Sequence, residues 1–418
     1  MARKITEDDI VPSFEHIENS DLITLKYQIK LITPMLGGGV ESWEPDFVNP
    51  IRSQSIKGQL RFWWRSMQVC NDADALREKE KSLWGGSGTG GENDGQVSCV
   101  KLMVRLNAPV TQEKNIIDYQ QGSTDLPDYV LFPLIPRGPS KLLKDLQFEV
   151  ELQVPTANRA EVENTVKLWV LFGGIGARVN RGCGSLYCED FMEAFQDRDE
   201  IIRYWQDLNT KEQQNFGDSH YPVIYDSRLA VSEPVNEMSQ NSWNNLLSMF
   251  GDFRQKPNVG RNPGHGNRPG RTRWPEADAI RRITGQAGKY HKPIHPADKW
   301  FPRGAYGLPI QIEFRNDPGD PNGKYLLQPM GSERWPSPVI LKVIQLNNGS
   351  CLKICLILNH AIPLDLQLLK NNAYLHDLSP AERPMAFTGK TMPPEAEMLH
   401  SNENPYDALI RHFDFEEV

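Results

Sequence analysis

Five glycines within twelve residues constrain this chain more than any other stretch. Residues 173–188 read GGIGARVNRGCGSLYC, with glycine at 173, 174, 176, 182 and 184. The run follows an apolar helical stretch, Val162 to Phe172, and leads into an expected strand from Ser185. Glycine at this density permits positive φ and lets a partner approach the backbone closely. Arg178 and Arg181 add planar, forked, permanently charged donors. Backbone amides beside two arginines suit a phosphate-bearing partner. The stretch lacks Gly-Lys-Ser/Thr and runs helix, loop, strand, so it is not a nucleotide-binding loop of the usual order. Two readings fit: a clamp for a sugar-phosphate chain, or a tight helix-to-strand turn packed on its neighbours.

At 418 residues the chain exceeds one typical core, so two domains are expected. The formal charge is −8, yet residues 254–303 hold 12 Lys/Arg against 3 acids, a local +9. The remainder then carries −8 − 9 = −17. A basic segment in an acidic body focuses the field on one region. The six cysteines form no C-x-x-C pair and lack zinc-site spacing, which points to reduced thiols in a cytoplasmic protein with no metal or cofactor. No apolar leader and no membrane-length apolar run is visible.

Periodicity places a strand at 22–32, a helix from Ile56 to about Val69 capped by Ser55, and strands at 97–106, 129–135 and 147–154. A helix capped by Asn158 runs to Phe172, and a strand follows at 185–191. Strand, helix, strand, strand, helix, strand is the split βαβ order of ferredoxin-like and RNA-recognition-motif domains. Residues 192–218 read as a polar helical connector. The second half shows a strand at 221–231, a helix near 241–250, a Pro/Gly-rich basic loop at 254–273, a helix from Trp274-Pro275, strands at 305–314, 338–346 and 351–358, and a helix near 405–413. A second copy of the same α+β fold fits that mix.

On the early helix, Lys57, Arg61 and Arg65 fall at i, i+4 and i+8 with no acid within a turn. Adjacent like charges cost a few tenths of a kcal/mol per pair, so the row faces water or an anion. Trp274, Tyr290 and Trp300 interleave with the basic segment, as suits a single strand whose bases stack while its phosphates meet cations. No catalytic constellation is present in the motifs. His265, His291 and His295 are the candidate bases for a metal-independent ribonuclease, because they alone lie in basic surroundings.

The segments TPMLGGG (33–39), RSQSIKGQLRFWWRSM (52–67), LWGG (83–86) and GGIGARVNRGCGSL (173–186) together resemble the RAMP superfamily of CRISPR proteins. GRTRWPEADAIRR (270–282) and FPRGAYGLPI (301–310) extend the likeness to the subunit-one family of the type III-B (Cmr) effector complex. The resemblance implies two tandem ferredoxin-like domains with glycine-rich loops: 21–192 and 220–370, the latter carrying the basic loop 254–303. Residues 193–219 then connect them, and 1–20 and 371–418 are terminal extensions. It implies a non-catalytic subunit, with CRISPR RNA, target RNA and other Cmr subunits as partners, no cofactor and no membrane. It carries over Lys57, Arg61, Arg65, Arg178, Arg181, Arg271 and Arg273 as RNA contacts, with Gly174, Gly176, Gly182 and Gly184 shaping the loop. Cys183 stands where that family's loop is expected to hold a bulkier residue. The alternative is a RAMP-type metal-independent endoribonuclease that processes CRISPR transcripts, and a third reading is a scaffold that touches only protein.

Overall fold

The computed structural model describes residues 21–418 except 40, 42, 71, 87–94, 123–125, 211–218, 266–269, 296–298, 315–317, 379–396 and 401–402. In the first half, chain order gives β1 (Leu22–Leu31), α1 (Ser53–Ser66), α2 (Ala73–Trp84), β2 (Lys101–Leu106), β3 (Ile116–Tyr119), β4 (Ser140–Leu143), β5 (Gln147–Pro155), α3 (Arg159–Phe172), β6 (Leu186–Cys188) and α4 (Arg198–Thr210). The second half gives β7 (Val223–Val231), α5 (Ser239–Gln255), α6 (Glu276–Thr284), β8 (Ile310–Glu313), β9 (Lys324–Pro329), β10 (Val339–Gln345), β11 (Cys351–Asn359), β12 (Leu366–Lys370), β13 (Ala373–Asp377), α7 (Pro405–Phe413) and β14 (Glu416–Glu417). Helices of four residues are left unnumbered.

The strands build mixed α+β architecture on antiparallel sheets. The first sheet has the order β2-β5-β1-β6, and the second β10-β11-β7-β14. The strict alternation in β5 explains its central place: Phe148, Val150, Leu152 and Val154 all point into the core. A third sheet, β13-β12-β9-β8, comes from two insertions in the second half and packs with α6 around its own small core.

The layers share cores rather than standing apart. Successive residues of β10 enter different ones. Ile340 and Ile344 join Trp63, Val166, Trp169 and Phe172 of α1 and α3. Val339, Leu341 and Val343 join Trp243, Leu246 and Phe250 of α5. Helices α1 and α3 are therefore covered by the first sheet on one side and the second sheet on the other. Tyr225 of β7 fastens this junction, its Oη donating to Met67 O at 2.7 Å just past the end of α1.

Four expectations need correction. Residues 129–135 are not a strand: Asp128–Leu131 is helical and Phe132–Arg137 continues as a 3-10 turn. Pro133 and Pro136 remove ladder donors there, and the apolar residues pack on α5 instead. The strand expected at 97–106 begins only at Lys101. Helix α1 starts at Ser53 with Arg52 at the N-cap, so Ser55 lies inside it. The supposed polar connector contains α4, whose Ile201 and Trp205 are buried in the first core, with Trp205 edge-on to Phe172 at 5.5 Å.

The segment expected as a C-terminal extension closes the second sheet. Helix α7 opens with a capping box between Asn404 and Asp407 and with Pro405 in its first turn. It buries Leu409 and Phe413 against α5, and β14 then pairs with the β7 edge. Phe413→Ala should lower stability by roughly 3–5 kcal/mol in a denaturant titration. A loss below about 1 kcal/mol would mean that this tail is not part of the core.

Candidate nucleic-acid interface

The glycine turn is a docked element of the fold. At Gly184, φ is +67° and a Cβ would lie 2.0 Å from Ile175 O; at Gly174 it would lie 2.8 Å from Gly184 O. A Cβ at Gly176 would meet Leu36 O at 2.6 Å, and at Gly182 it would meet the Trp243 ring at 2.8 Å. The close approach that these glycines permit is thus to the protein's own chain, which corrects the reading that they leave room for a ligand. Thr33 Oγ1 donates to Gly182 O at 2.6 Å and accepts from Ser185 N at 2.8 Å. Trp169 Nε1 donates to Gly174 O and Trp243 Nε1 to Arg181 O. Cys183 is buried in the same cluster, and burial pushes its thiol up to about 12.

The two loop arginines differ. Arg181 turns into the second half, where Nη1 donates to Val339 O at 2.7 Å and Nη2 to Ser337 Oγ at 3.1 Å, with its Cζ over the Phe250 ring. Burial lowers its guanidinium to about 10. Its expected role as a free phosphate donor is corrected, because it staples the loop to β10. Arg178, at φ 58° on the same loop, lies over Phe132 at 4.9 Å, and its buried Nε has no hydrogen-bond partner among the described residues.

A cavity of about 540 Å³ opens where the 37–39 and 174–177 turns meet the first turn of α1. Arg52 and Arg334 line it, and Arg52 Nη2 donates to Gly38 O at 2.6 Å. The first turn of α1 has no acid and no side-chain cap, so its amides add positive potential there. On the other side of α1, Gln54, Lys57 and Arg61 face Gly85, Gly86 and Gln96 across a cleft of about 300 Å³.

The cationic row of α1 is real but partly neutralised. Arg61 Nε and Arg65 Nη1 reach Glu80 Oε1 of α2 at 2.5 and 2.6 Å. The sequence neighbourhood hid this acid because it comes from the next helix. One carboxylate shared by two arginines still leaves a net positive pair, and both arginine side chains stay 35% exposed. Lys57 has no ion pair among the described residues. Burial, and then Arg61, hold its ammonium below the ordinary lysine range.

The basic segment is mostly an internal ion network. Asp278 accepts from Arg271 at 2.6 Å, Arg281 at 2.9 Å and His295 Nδ1 at 2.7 Å. Asp320 binds Arg281 at 3.0 Å and His291 at 2.7 Å. Arg271 also donates to Lys292 O, and Arg273 Nε to Asn262 Oδ1 at 3.0 Å, so neither arginine stands free for a phosphate as expected. His295 is buried, with Nε2 on Arg273 O at 2.8 Å. Trp274 and Trp300 are buried, whereas Tyr290 is 81% exposed beside Lys289. His265 is exposed, next to 266–269, which lie outside the described residues.

Sequence reasoning missed Lys342. It sits on β10 facing α3 and, fully buried, donates to Val170 O at 2.6 Å and Gly173 O at 2.5 Å. It satisfies the end of α3 where the glycine turn begins, and burial holds its amine well below the lysine range. A lone lysine in the apolar run VILKVIQL was the available signal.

Residues 28–187 match the family model described as the RAMP superfamily. A 146-residue stretch is 27% identical to the CRISPR system Cmr subunit Cmr1-1 of Pyrococcus furiosus, covering 32% of this chain and 40% of that relative. The chain thus spans about two fifths of that relative's length. The crystal structure of Cmr1 from Pyrococcus furiosus, in its apo form, aligns with a TM-score of 0.49 at 15% identity, covering 95% of this chain and 98% of that one. A cryo-EM structure of the type III-B Cmr-beta complex bound to cognate target RNA contains a chain that aligns at TM-score 0.45 and 14% identity, covering 81% and 94%.

Gly184→Ala should cost roughly 2 kcal/mol or more, because backbone must shift to clear Ile175 O. A melting temperature equal to the parent's would show that the turn is not locked. A pH-dependent effect is expected at Asp320. Burial would raise its carboxyl, but Arg281 and the Gly288 amide outweigh it and hold the value at about 2. A depressed folded value stabilises above the ordinary carboxylate range, and the gain is lost as pH falls toward about 2. Asp320→Asn should therefore lower stability by roughly 2 kcal/mol at pH 7, with the gap closing in acid. A gap that is independent of pH would contradict this.

Proposed function

We propose that this chain, whose residues 28–187 match the RAMP superfamily model, is an RNA-holding subunit of a CRISPR type III-B (Cmr) ribonucleoprotein complex. The carrying observation is the cation row of α1, open to a cleft on one side, beside a glycine turn whose Arg178 has no anion among the described residues. The stretch shared with a Cmr subunit supports the choice of complex. Each four-stranded sheet with its two helices reads as a ferredoxin-like domain. The orders β1-α1-β2-β5-α3-β6 and β7-α5-β10-β11-α7-β14 are the same split βαβ sequence twice, with sheets in the same relative order. The third sheet is then an insertion in the second copy.

In this reading the subunit helps hold the 3′ region of the guide and the target RNA paired with it. Contacts run through phosphates, which give affinity without reading sequence, as a guide that changes with every spacer requires. Lys57, Arg61, Arg65 and Arg178 are the proposed contacts. The subunit needs no catalytic group of its own in this role. The ribonuclease alternative has weaker support, because His295 is buried and His291 faces Asp320.

Lys57→Ala/Arg61→Ala/Arg65→Ala should weaken binding of the intact protein to single-stranded RNA of any sequence. The slope of log K against log salt should fall by about 2, for three phosphate contacts at about 0.7 each. Unchanged affinity in a folded triple variant would remove α1 from the interface. Specific cleavage of repeat RNA that His291→Ala abolishes would favour the nuclease instead.

A further inference from the structure

Outside the α1 row, one group of charges has no balance. At the seam between the two halves, Arg178 and Arg181 of the glycine turn meet Arg254, from the last turn of α5, and Arg303. Arg181 and Arg254 lie over the same Phe250 ring, at 5.0 and 5.8 Å. Arg254 also lies 5.6 Å from the Tyr306 ring centre, and Arg303 5.9 Å from that of Trp274. Arg181 is within Coulomb reach of both Arg178 and Arg254, and Arg303 is within reach of Arg254.

The only carboxylate that faces this set among the described residues is Glu276, which pairs with Arg303 at 2.9 Å. Tyr129, Tyr306, Cys183 and Cys355 complete the titratable surroundings, and burial raises Tyr306 and both thiols toward their neutral forms. Four guanidinium groups against one carboxylate leave an excess of three positive charges. Nε of Arg178 and Nε of Arg254 are both buried without a hydrogen-bond partner among the described residues. Unpaired buried donors of charged groups are expensive to maintain. Aromatic rings cover the guanidinium faces, and the faces are not where phosphate binds. The in-plane N–H edges are, and stacking does not itself use them.

We infer that this seam is a phosphate site, in which Arg178 and Arg254 grip the anion directly while Arg181 and Arg303 supply fixed charge behind them. It deepens the RNA reading, on which the source of the phosphate rests: a backbone diester of a strand crossing the seam, or a terminal monoester. The site would couple the halves, since the anion bridges a loop of the first and a helix end of the second. Each of the four arginines keeps partial exposure as a whole residue, although the Nε atoms of Arg178 and Arg254 are themselves buried.

The test uses the full-length protein and its Arg178→Gln/Arg254→Gln variant, with circular dichroism as the folding control. Inorganic phosphate at matched ionic strength should raise the melting temperature of the parent and not of the variant. Single-stranded RNA should bind the variant roughly 10- to 100-fold more weakly, as expected for the loss of charge-assisted hydrogen bonds. If removing the terminal phosphate from the RNA abolishes the difference, the ligand is a monoester; if the difference persists, it is a backbone diester. Should the double variant not fold, Arg178→Lys alone tests the same point, because it keeps charge and loses the forked edge. Equal phosphate shifts and unchanged RNA affinity overturn the seam site. If the α1 triple variant still loses affinity in that case, the RNA reading survives without it. If neither variant loses affinity, both fall.

Discussion

The docking of the glycine turn onto the second sheet is the contact on which the rest depends. Gly174 and Gly184 let two backbone strands of the turn pass within a distance that no side chain would allow. That closure presents the Arg181 carbonyl to Trp243 and the Arg181 guanidinium to β10. Lys342 reaches back from β10 to the carbonyls at the end of α3. The loop is thus fastened from both halves, and it in turn sets where Arg178 points. A site built on such a rigid element can be preorganised for a charged ligand, which lowers the entropy lost on binding.

The same closure explains why the two readings of the glycine run are compatible. It is a tight turn packed on its neighbours, and its rim still carries Arg178, a cation with no anion among the described residues. The glycines serve the fold and Arg178 faces the seam. Charges in this protein divide likewise. Arg181, Arg271 and Arg281 stitch the structure together through carbonyls and buried carboxylates. Lys57 and Arg178 have no such anion among the described residues, and Arg61 and Arg65 share one.

Much of the first half was legible because its signals are local. The alternation of Phe148 to Val154, the apolar helix before Gly173 and the turn residues at 33–39 each fix an element from a few neighbours. What escaped was long-range. Glu80 neutralises part of the α1 row from another helix, and Asp278 gathers Arg271 and His295 from the loops on either side of α6. The strand expected at 129–135 failed because two prolines outweighed an apolar run. The last fourteen residues close the second sheet, but a two-residue strand such as Glu416–Glu417 has no sequence signature. Local charge, counted over 254–303, overstated the free positive field because it could not see Asp320 outside the window.

The most direct measurement of whether RNA follows this surface is photocrosslinking of 4-thiouridine-labelled guide and target RNA in the assembled complex, with adducts mapped by mass spectrometry. Adducts should concentrate on residues 52–65 and 174–182 and around Arg254. Adducts confined to other faces, with these segments unlabelled or buried against protein partners, would contradict it.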